Sequence, residues 1–426
     1  MPKHILLVNI GYHPFVGGAQ TYAQQLAESL VRDGNQVTVF TTNAGEVEAV
    51  WDARKRRLAA SDECINGVTV RRFPLRHVPP SPWGYFLIRR LTVLIAQLPG
   101  APEALLWRLA GRAPWMDGLD EALRQSRGKF DLVHGFAIPF ESLLRPAAAY
   151  AREAGVPFLL APFLHIGEAD DPTVARGYAM PHQLSLLRQA DAVVALSEIE
   201  RDFLVRQGVR PDRVVAIAGG IPFNEQDDEQ DDAREQDDAG PTKTDRPLVL
   251  FLGAVTYDKG ATHVVEAVRS LWTEGVAVDI AVAGTVTTPF RAYFDRLPPQ
   301  DRARVQVLGN ISEDQKQSLL RQCTLLAMPS RVDSFGLVYL EAWRYQKPVI
   351  GARAGGVPAV IDDGENGLLV SFGNAGALKT AVARLLKDAG LAQRLGQAGY
   401  EKLKARYTWD RVYQQIAQLY ERVLAQ

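Results

Sequence analysis

Short apolar runs alternate with stretches of helical length along almost the whole chain, and that order of signals admits few architectures. Residues 5–9 read as a strand, about 20–32 as a helix that Gly34 stops, and 37–41 as the next strand, a βαβ opening. In the helix Tyr22, Leu26 and Leu30 recur every fourth residue beside Ala23 and Ala27, giving one apolar stripe suited to lie on a sheet. Runs at 68–70, 132–134, 157–161, 192–196 and 214–217 are short, apolar and separated by helical lengths, the pattern of a parallel sheet covered on both faces. From 224 to 246 the composition turns to Glu, Gln and Asp, a solvated acidic linker in which no core can form. The alternation restarts at 248–252, continues through a helix at about 260–274, and adds strands at 278–282, 305–308, 325–328, 349–352 and 368–370. The expected fold is α/β, with doubly wound domains over 1–223 and 247–405, the linker 224–246 between them and a last helix over 406–426. The tail from Asn374 reads as helical throughout, with Trp409, Val412, Ile416 and Leu419 spaced to pack on a neighbour.

A length of 426 residues agrees with two domains of roughly 200 residues each. The formal net charge of −1 argues against nucleic acid as a partner. Cys64 and Cys323 match no metal or redox spacing, so no disulfide framework is expected and the cytoplasm is the expected compartment. The apolar run 5–8 is too short for a signal peptide. No apolar stretch reaches the length of about 18 residues that a bilayer-spanning helix needs.

Open parallel sheets bind ligands in the loops that follow the carboxyl ends of their strands. The first such loop, 11–19, carries Gly17 and Gly18, which let backbone approach a phosphate, or else make a plain tight turn. In the corresponding loop of the second half, Gly253 is followed by Lys259 just before a helix. A cation is unfavourable at that helix end unless an anion lies between, although a solvated surface lysine is the plainer alternative. The richest constellation runs from Pro329 through Asp333, Ser334, Phe335, Gly336, Leu337 and Val338 to Glu341. Eight positions separate the two acids, which a continuous helix would bring within about 80° of one face. A capping Asp followed by a solvated Glu is the competing explanation.

This set resembles the retaining GT-B glycosyltransferases of family 4, which carry two acidic residues at the same spacing. The likeness extends through the glycine pair, Lys259 with Gly260, Pro329 with Ser330, Gly355 with Gly356, and the segment 363–367. It leaves out about 73–127 and the acidic linker. It implies two Rossmann-like domains facing a cleft, with C-terminal helices crossing back to the N-terminal domain. A nucleotide-diphosphate sugar, UDP- or GDP-linked foremost, would donate to a glycan, lipid-linked or small-molecule acceptor. By that likeness Glu341 holds the ribose hydroxyls, Asp333 and His165 meet the donor sugar, and Lys259 with the backbone N–H groups of 335–338 meets the diphosphate. No cofactor and no metal are implied. Two departures stand out: Asp333 is one methylene shorter than the usual Glu, and Ala254 occupies the place of an expected arginine. A nucleotide-sugar epimerase and a non-catalytic sugar-nucleotide-binding protein are the alternatives, since architecture alone does not decide.

His134 and His13 also follow or end strands and are weaker candidates, while Ser197 and Glu198 read as a helix cap. The segment 71–112 gathers Arg71, Arg72, Arg76, Arg89, Arg90, Arg108 and Arg112 against Glu103, interleaved with Trp83, Phe86, Leu87 and Trp107. Such a stretch suits peripheral contact with an anionic membrane face, or an excursion packed on the core.

Overall fold

The computed structural model describes residues 2–224 and 246–425. The body of the acidic linker, 225–245, lies outside the described residues. The chain divides into two compact units, one made of 1–164, 173–218 and 413–426, the other of 165–172 and 219–412. This differs from a simple split at the linker: the boundary falls at 218/219, ahead of the linker, and two further pieces change sides. The short segment 165–172 belongs with the second unit, and the chain's last residues belong with the first.

The first unit holds strands β1 (His4–Val8), β2 (Gln36–Thr42), β3 (Asp62–Ile65), β4 (Val68–Phe73), β5 (Leu75–Arg76), β6 (Trp115–Met116), β7 (Leu132–Phe136), β8 (Phe158–Ala161), β9 (Ala192–Ala195) and β10 (Val214–Ala216). Eight of them form one sheet in the order β10-β9-β8-β7-β1-β2-β4-β3, while β5 and β6 make a separate antiparallel pair. Every ladder of the large sheet is parallel except β3 with β4. The central strands are buried along nearly their full length, which explains why they read as unbroken apolar runs. The β3–β4 hairpin was not foreseen, because β3 is polar and mostly exposed. Its turn is Asn66-Gly67, both at positive φ, the two-residue turn whose twist suits a hairpin.

The second unit holds β11 (Leu248–Leu252), β12 (Asp279–Ala283), β13 (Val305–Gly309), β14 (Leu325–Ala327), β15 (Val349–Ala352) and β16 (Leu368–Val370), in the order β13-β12-β11-β14-β15-β16, all parallel. From β11 the chain builds outward through β12 to β13, then returns to place β14 on the other side of β11. The order therefore reverses between β11 and β14, where the loops leaving two adjacent strands diverge and open a crevice.

The tail is helical along nearly its whole length, in the segments Ala375–Lys387, Ala389–Lys402, a π-helical turn Leu403–Tyr407 and Trp409–Leu424. Asp388 interrupts the first pair, its carboxylate accepting the Leu391 N–H at 2.8 Å as a cap. In the last helix Ile416, Leu419, Tyr420 and Val423 are buried, and the Tyr420 hydroxyl lies 2.7 Å from His134 Nδ1. Burial pushes the His134 imidazole down to about 3, so it is a neutral member of the core.

Candidate functional site

The loop leaving β11 is shaped by close backbone approach. Gly260 has φ +86°, and a side chain there would run into the Pro329 carbonyl. The Lys259 loop is thereby pressed against the loop leaving β14, so two strands that are neighbours in the sheet present adjoining loops. The Thr256 hydroxyl accepts the Lys259 N–H at 3.2 Å and sets the turn before the helix Ala261–Thr273.

Across the reversal point, the Lys259 ammonium reaches Asp333 Oδ1 at 2.5 Å. Both side chains are largely shielded, at 22% and 13% exposure. The anion that the position of Lys259 demanded is therefore, in this structure, a carboxylate 74 residues away in sequence. A glycine pair on the other side holds the Asp333 loop. Gly356 donates its N–H to the Asp333 carbonyl at 2.8 Å, and a side chain on Gly355 or Gly356 would collide with the carbonyls of Asp333 or Ser334. Gly355 in turn donates to the Gly167 carbonyl at 2.7 Å, which ties segment 165–172 to the same turn.

His165 opens that segment and feels both charges. Burial and the neighbouring Lys259 ammonium push its imidazole down to about 4 against the opposing pull of Asp333, so the ring is neutral near neutral pH. Burial opposes ionisation of Asp333, but the charge and hydrogen bond of Lys259, with help from Ser330 and His165, hold its carboxyl below the usual range. Its second oxygen, Oδ2, is buried and has no hydrogen-bond partner among the described residues. Lys259, Asp333 and His165 thus form one cluster within the second unit.

Asp333 and Glu341 do not share a helix. The helix is Leu337–Arg344, and Gly336 at φ +95° stands just before it, so Asp333 lies in the preceding loop. The 80° estimate assumed continuous helical geometry, which a left-handed residue breaks. Asp333 does not cap the helix either, since the cap position is Gly336 and no side chain accepts there. The first N–H groups of the helix, including those of Leu337 and Val338, have no partner within it. Phe335 is buried beside them. The Tyr339 hydroxyl donates to the Met328 carbonyl at 2.6 Å and the Trp343 indole to the Asn366 carbonyl at 3.0 Å, locking the helix against β14 and the 363–367 turn. One turn beyond Val338, Glu341 pairs with Lys316 at 2.7 Å, and Lys316 also holds Glu313 at 2.9 Å.

Sequence reasoning passed over Arg331. It pairs with Asp258 at 2.9 Å, lies 3.9 Å from both Glu168 and Asp171, and stacks its guanidinium 4.8 Å over the Phe372 ring. It places a guanidinium, held among three carboxylates, on the loop bearing Asp333. The signal was present as an arginine two residues before Asp333, but nothing in the spacing told it from a surface residue. Gly17 and Gly18 lie in the first unit, Gly17 preceding and Gly18 opening the helix Gly18–Arg32. Gly253 follows β11 at φ +149°, and a side chain on Gly284 would strike its carbonyl. The His13 carbonyl accepts from the Arg72 guanidinium in the first unit. Ser197 caps its helix, accepting the Glu200 N–H at 3.1 Å. Among the described residues no three His, Cys, Asp or Glu side chains come together in a way that could hold a metal ion.

Two doubly wound parallel α/β units, the second with charged loops at its reversal point, constitute the GT-B class of architecture. Solved structures agree: sucrose-phosphate synthase from Thermosynechococcus elongatus superposes with a TM-score of 0.69 at 19% identity over 99% of both chains. Anabaena HepE in complex with UDP-glucose gives 0.68 at 18% identity over 98% of this chain and 99% of that one. The sequence matches the glycosyl transferase 4-like domain over residues 17–220 and the glycosyl transferases group 1 domain over 232–402. The chain belongs to the family 4-like, group 1 glycosyltransferases. D-inositol 3-phosphate glycosyltransferase of Streptomyces bingchenggensis is 26% identical over 98% of this chain and 89% of its own length. Alpha-D-kanosaminyltransferase of Streptomyces kanamyceticus is 28% identical over 56% of this chain. In that relative and in the alpha-maltose-1-phosphate synthases the match spans 62% to 64% of their length.

Proposed function

We propose that the protein moves a sugar from a nucleotide-diphosphate donor, a UDP- or GDP-sugar, to a glycan, lipid-linked or small-molecule acceptor, with retention at the anomeric carbon. The observation that carries this reading is the Lys259–Asp333 pair at the β11/β14 reversal point, beside the free N–H groups opening the helix Leu337–Arg344. An ammonium has three N–H donors and Asp333 takes one, so Lys259 can hold a phosphate oxygen without releasing its carboxylate. The helix N-terminus adds partial positive charge to the same diphosphate. The bond from the anomeric carbon to the diphosphate oxygen breaks while a bond to the acceptor oxygen forms on the same face. A donor phosphate oxygen takes the acceptor's proton, so the chain supplies no base. His165, neutral, donates or accepts a hydrogen bond at the sugar without adding charge, and Asp333 Oδ2 offers a sugar hydroxyl an acceptor. Catalysis is then chiefly stabilisation of charge growing on the departing diphosphate.

The test is a screen of UDP-, GDP- and ADP-sugars for hydrolysis and transfer, run with and without EDTA. Donor turnover that survives chelation is expected, because the cations assigned to the diphosphate are Lys259 and the helix terminus. Activity lost on chelation and restored by magnesium or manganese would overturn that assignment. Isomerised sugar without transfer would identify an epimerase, and tight binding without turnover a binding protein. We assign the reaction to the cytoplasm, in keeping with two free cysteines, Cys64 exposed and Cys323 buried.

Glu341 is assigned to the ribose hydroxyls, away from the breaking bond. Glu341→Gln should therefore raise the donor KM several-fold more than it lowers kcat, as loss of an interaction equal in ground and transition states does. Lys316 keeps Glu313 in that variant, so the local structure is expected to survive. Full donor kinetics decide, and a kcat loss with unchanged KM would place Glu341 at the reacting centre.

A further inference from the structure

Seven of the eleven large apolar side chains exposed among the described residues lie between positions 83 and 105. They concentrate on the helix Trp83–Ala96 and the turn after it: Trp83 at 72% exposure, Phe86, Leu87 at 59%, Leu91, Leu94 at 53% and Leu98 at 59%. At about 100° per residue these positions fall within one arc of roughly 140°, with Arg90 and Gln97 inside it. The opposite side is fixed to the domain. Gly84 packs against the Val78 carbonyl, Thr92 is buried, and Arg89 binds both oxygens of buried Glu141 at 3.0 and 2.9 Å. The helix is therefore held with an apolar face turned to solvent, contiguous enough to mark a contact surface.

The charges around this face differ from the sequence expectation. Arg71 pairs with Asp62, Arg72 with Glu63, Arg76 with Asp117 and Arg89 with Glu141, so four of the seven arginines are committed within the domain. Arg90, Arg108 and Arg112 are exposed and form no ion pair among the described residues, and Glu103 is the lone acid between 77 and 112. An apolar arc with Arg90 in its middle and two further cations on the following segment is complementary to an anionic lipid surface. Leucine and tryptophan enter the headgroup boundary while arginine meets phosphate. A second copy of the chain fits less well. A two-fold pairing of this arc would bring one Arg90 toward the other with no acid on the face to neutralise them.

We propose that the exposed face of the helix Trp83–Ala96, continued through Leu98, docks on an anionic membrane surface. The contact is peripheral, since no helix among the described residues is long and apolar enough to cross a membrane. It stands apart from the donor-site reading and is tested without donor. The full chain is sedimented with phosphatidylcholine vesicles and with vesicles containing phosphatidylglycerol, at low and high salt. Binding to the anionic vesicles that weakens with salt is expected. Leu87→Glu/Leu94→Glu, both changes on exposed positions, should lower partitioning by roughly tenfold or more. Arg90→Ser/Arg108→Ser/Arg112→Ser should remove the preference for the anionic lipid. Circular dichroism and thermal melting confirm that the variants are folded. Equal sedimentation with both vesicle types, or binding untouched by the leucine changes, overturns the proposal. So does a wild-type dimer in light scattering that the same leucine changes split, with no vesicle binding, since a second copy would then cover the face.

Discussion

Lys259→Ala should lower kcat by about 100-fold or more, with a smaller change in donor KM, because it removes charge stabilisation that is stronger in the transition state than in the ground state. The geometry sharpens the test. Lys259 is hydrogen-bonded to Asp333 at 2.5 Å and helps hold that carboxyl below its usual range, so the substitution also lets Asp333 bind a proton more readily. Assaying well above the carboxylate range keeps Asp333 ionised and leaves the missing ammonium as the main change. Lys259→Arg restores charge but not the compact three-donor head, and is expected to recover only part of the rate. Full donor kinetics, with melts to verify folding, separate the cases. If Lys259→Ala keeps its kcat and merely binds donor less well, Lys259 is a ground-state anchor and the assigned mechanism fails.

Glu141→Ala should destabilise the first unit by about 3–5 kcal/mol, the usual cost of leaving one member of a buried ion pair without the other. Glu141 is fully shielded. It accepts from Arg89 on both oxygens and from the Gln183 amide at 2.6 Å, and His182 Nε2 stands 3.3 Å away. Burial alone would raise its pKa, but Arg89 foremost, with His182, holds it down, so the carboxylate is the form that is stabilised. The melting temperature of the first unit should fall on the order of ten degrees. Arg89→Met/Glu141→Leu, which removes both charges and keeps most of the volume, should recover much of the loss. Differential scanning calorimetry on the three proteins measures this, and a single variant that melts like the wild type would show that the pair holds nothing. Since Arg89 lies on the helix Trp83–Ala96, the same experiment reports how firmly that helix is attached.

Most of the sheet was legible because its strands are buried on both faces and so appear as continuous apolar runs. β3 was not, since Asp62, Glu63 and Cys64 are exposed and carry no such pattern; only the Asn66-Gly67 turn announced the hairpin. At the site, the rule that ligands gather beyond strand ends pointed to the Lys259 and Asp333 loops. It could not reveal that β14 lies next to β11, and that adjacency is what turns two loops 74 residues apart into one ion pair. Helical periodicity misled between Asp333 and Glu341 because a single left-handed glycine resets the phase, and periodicity carries no record of φ. The arginines of 71–112 read as one basic patch for a related reason. Their partners Asp62, Glu63, Asp117 and Glu141 come from elsewhere in the fold, two of them on the neighbouring strand β3, and composition counts charges without pairing them.

The first unit is written in pieces, and its last piece is residues 413–426. Its sheet is fully translated once β10 has been made, yet the core still lacks Ile416, Leu419 and Val423, and His134 still lacks the Tyr420 hydroxyl. During synthesis that core stays open on one side while the whole second unit is produced, exposing apolar surface of the kind that chaperones bind. Domains that are contiguous in sequence can finish folding one after another as they leave the ribosome. Here the earlier-made unit is completed later than the one that follows it, and a fragment that stops after β10 is an unfinished domain, whatever its length suggests.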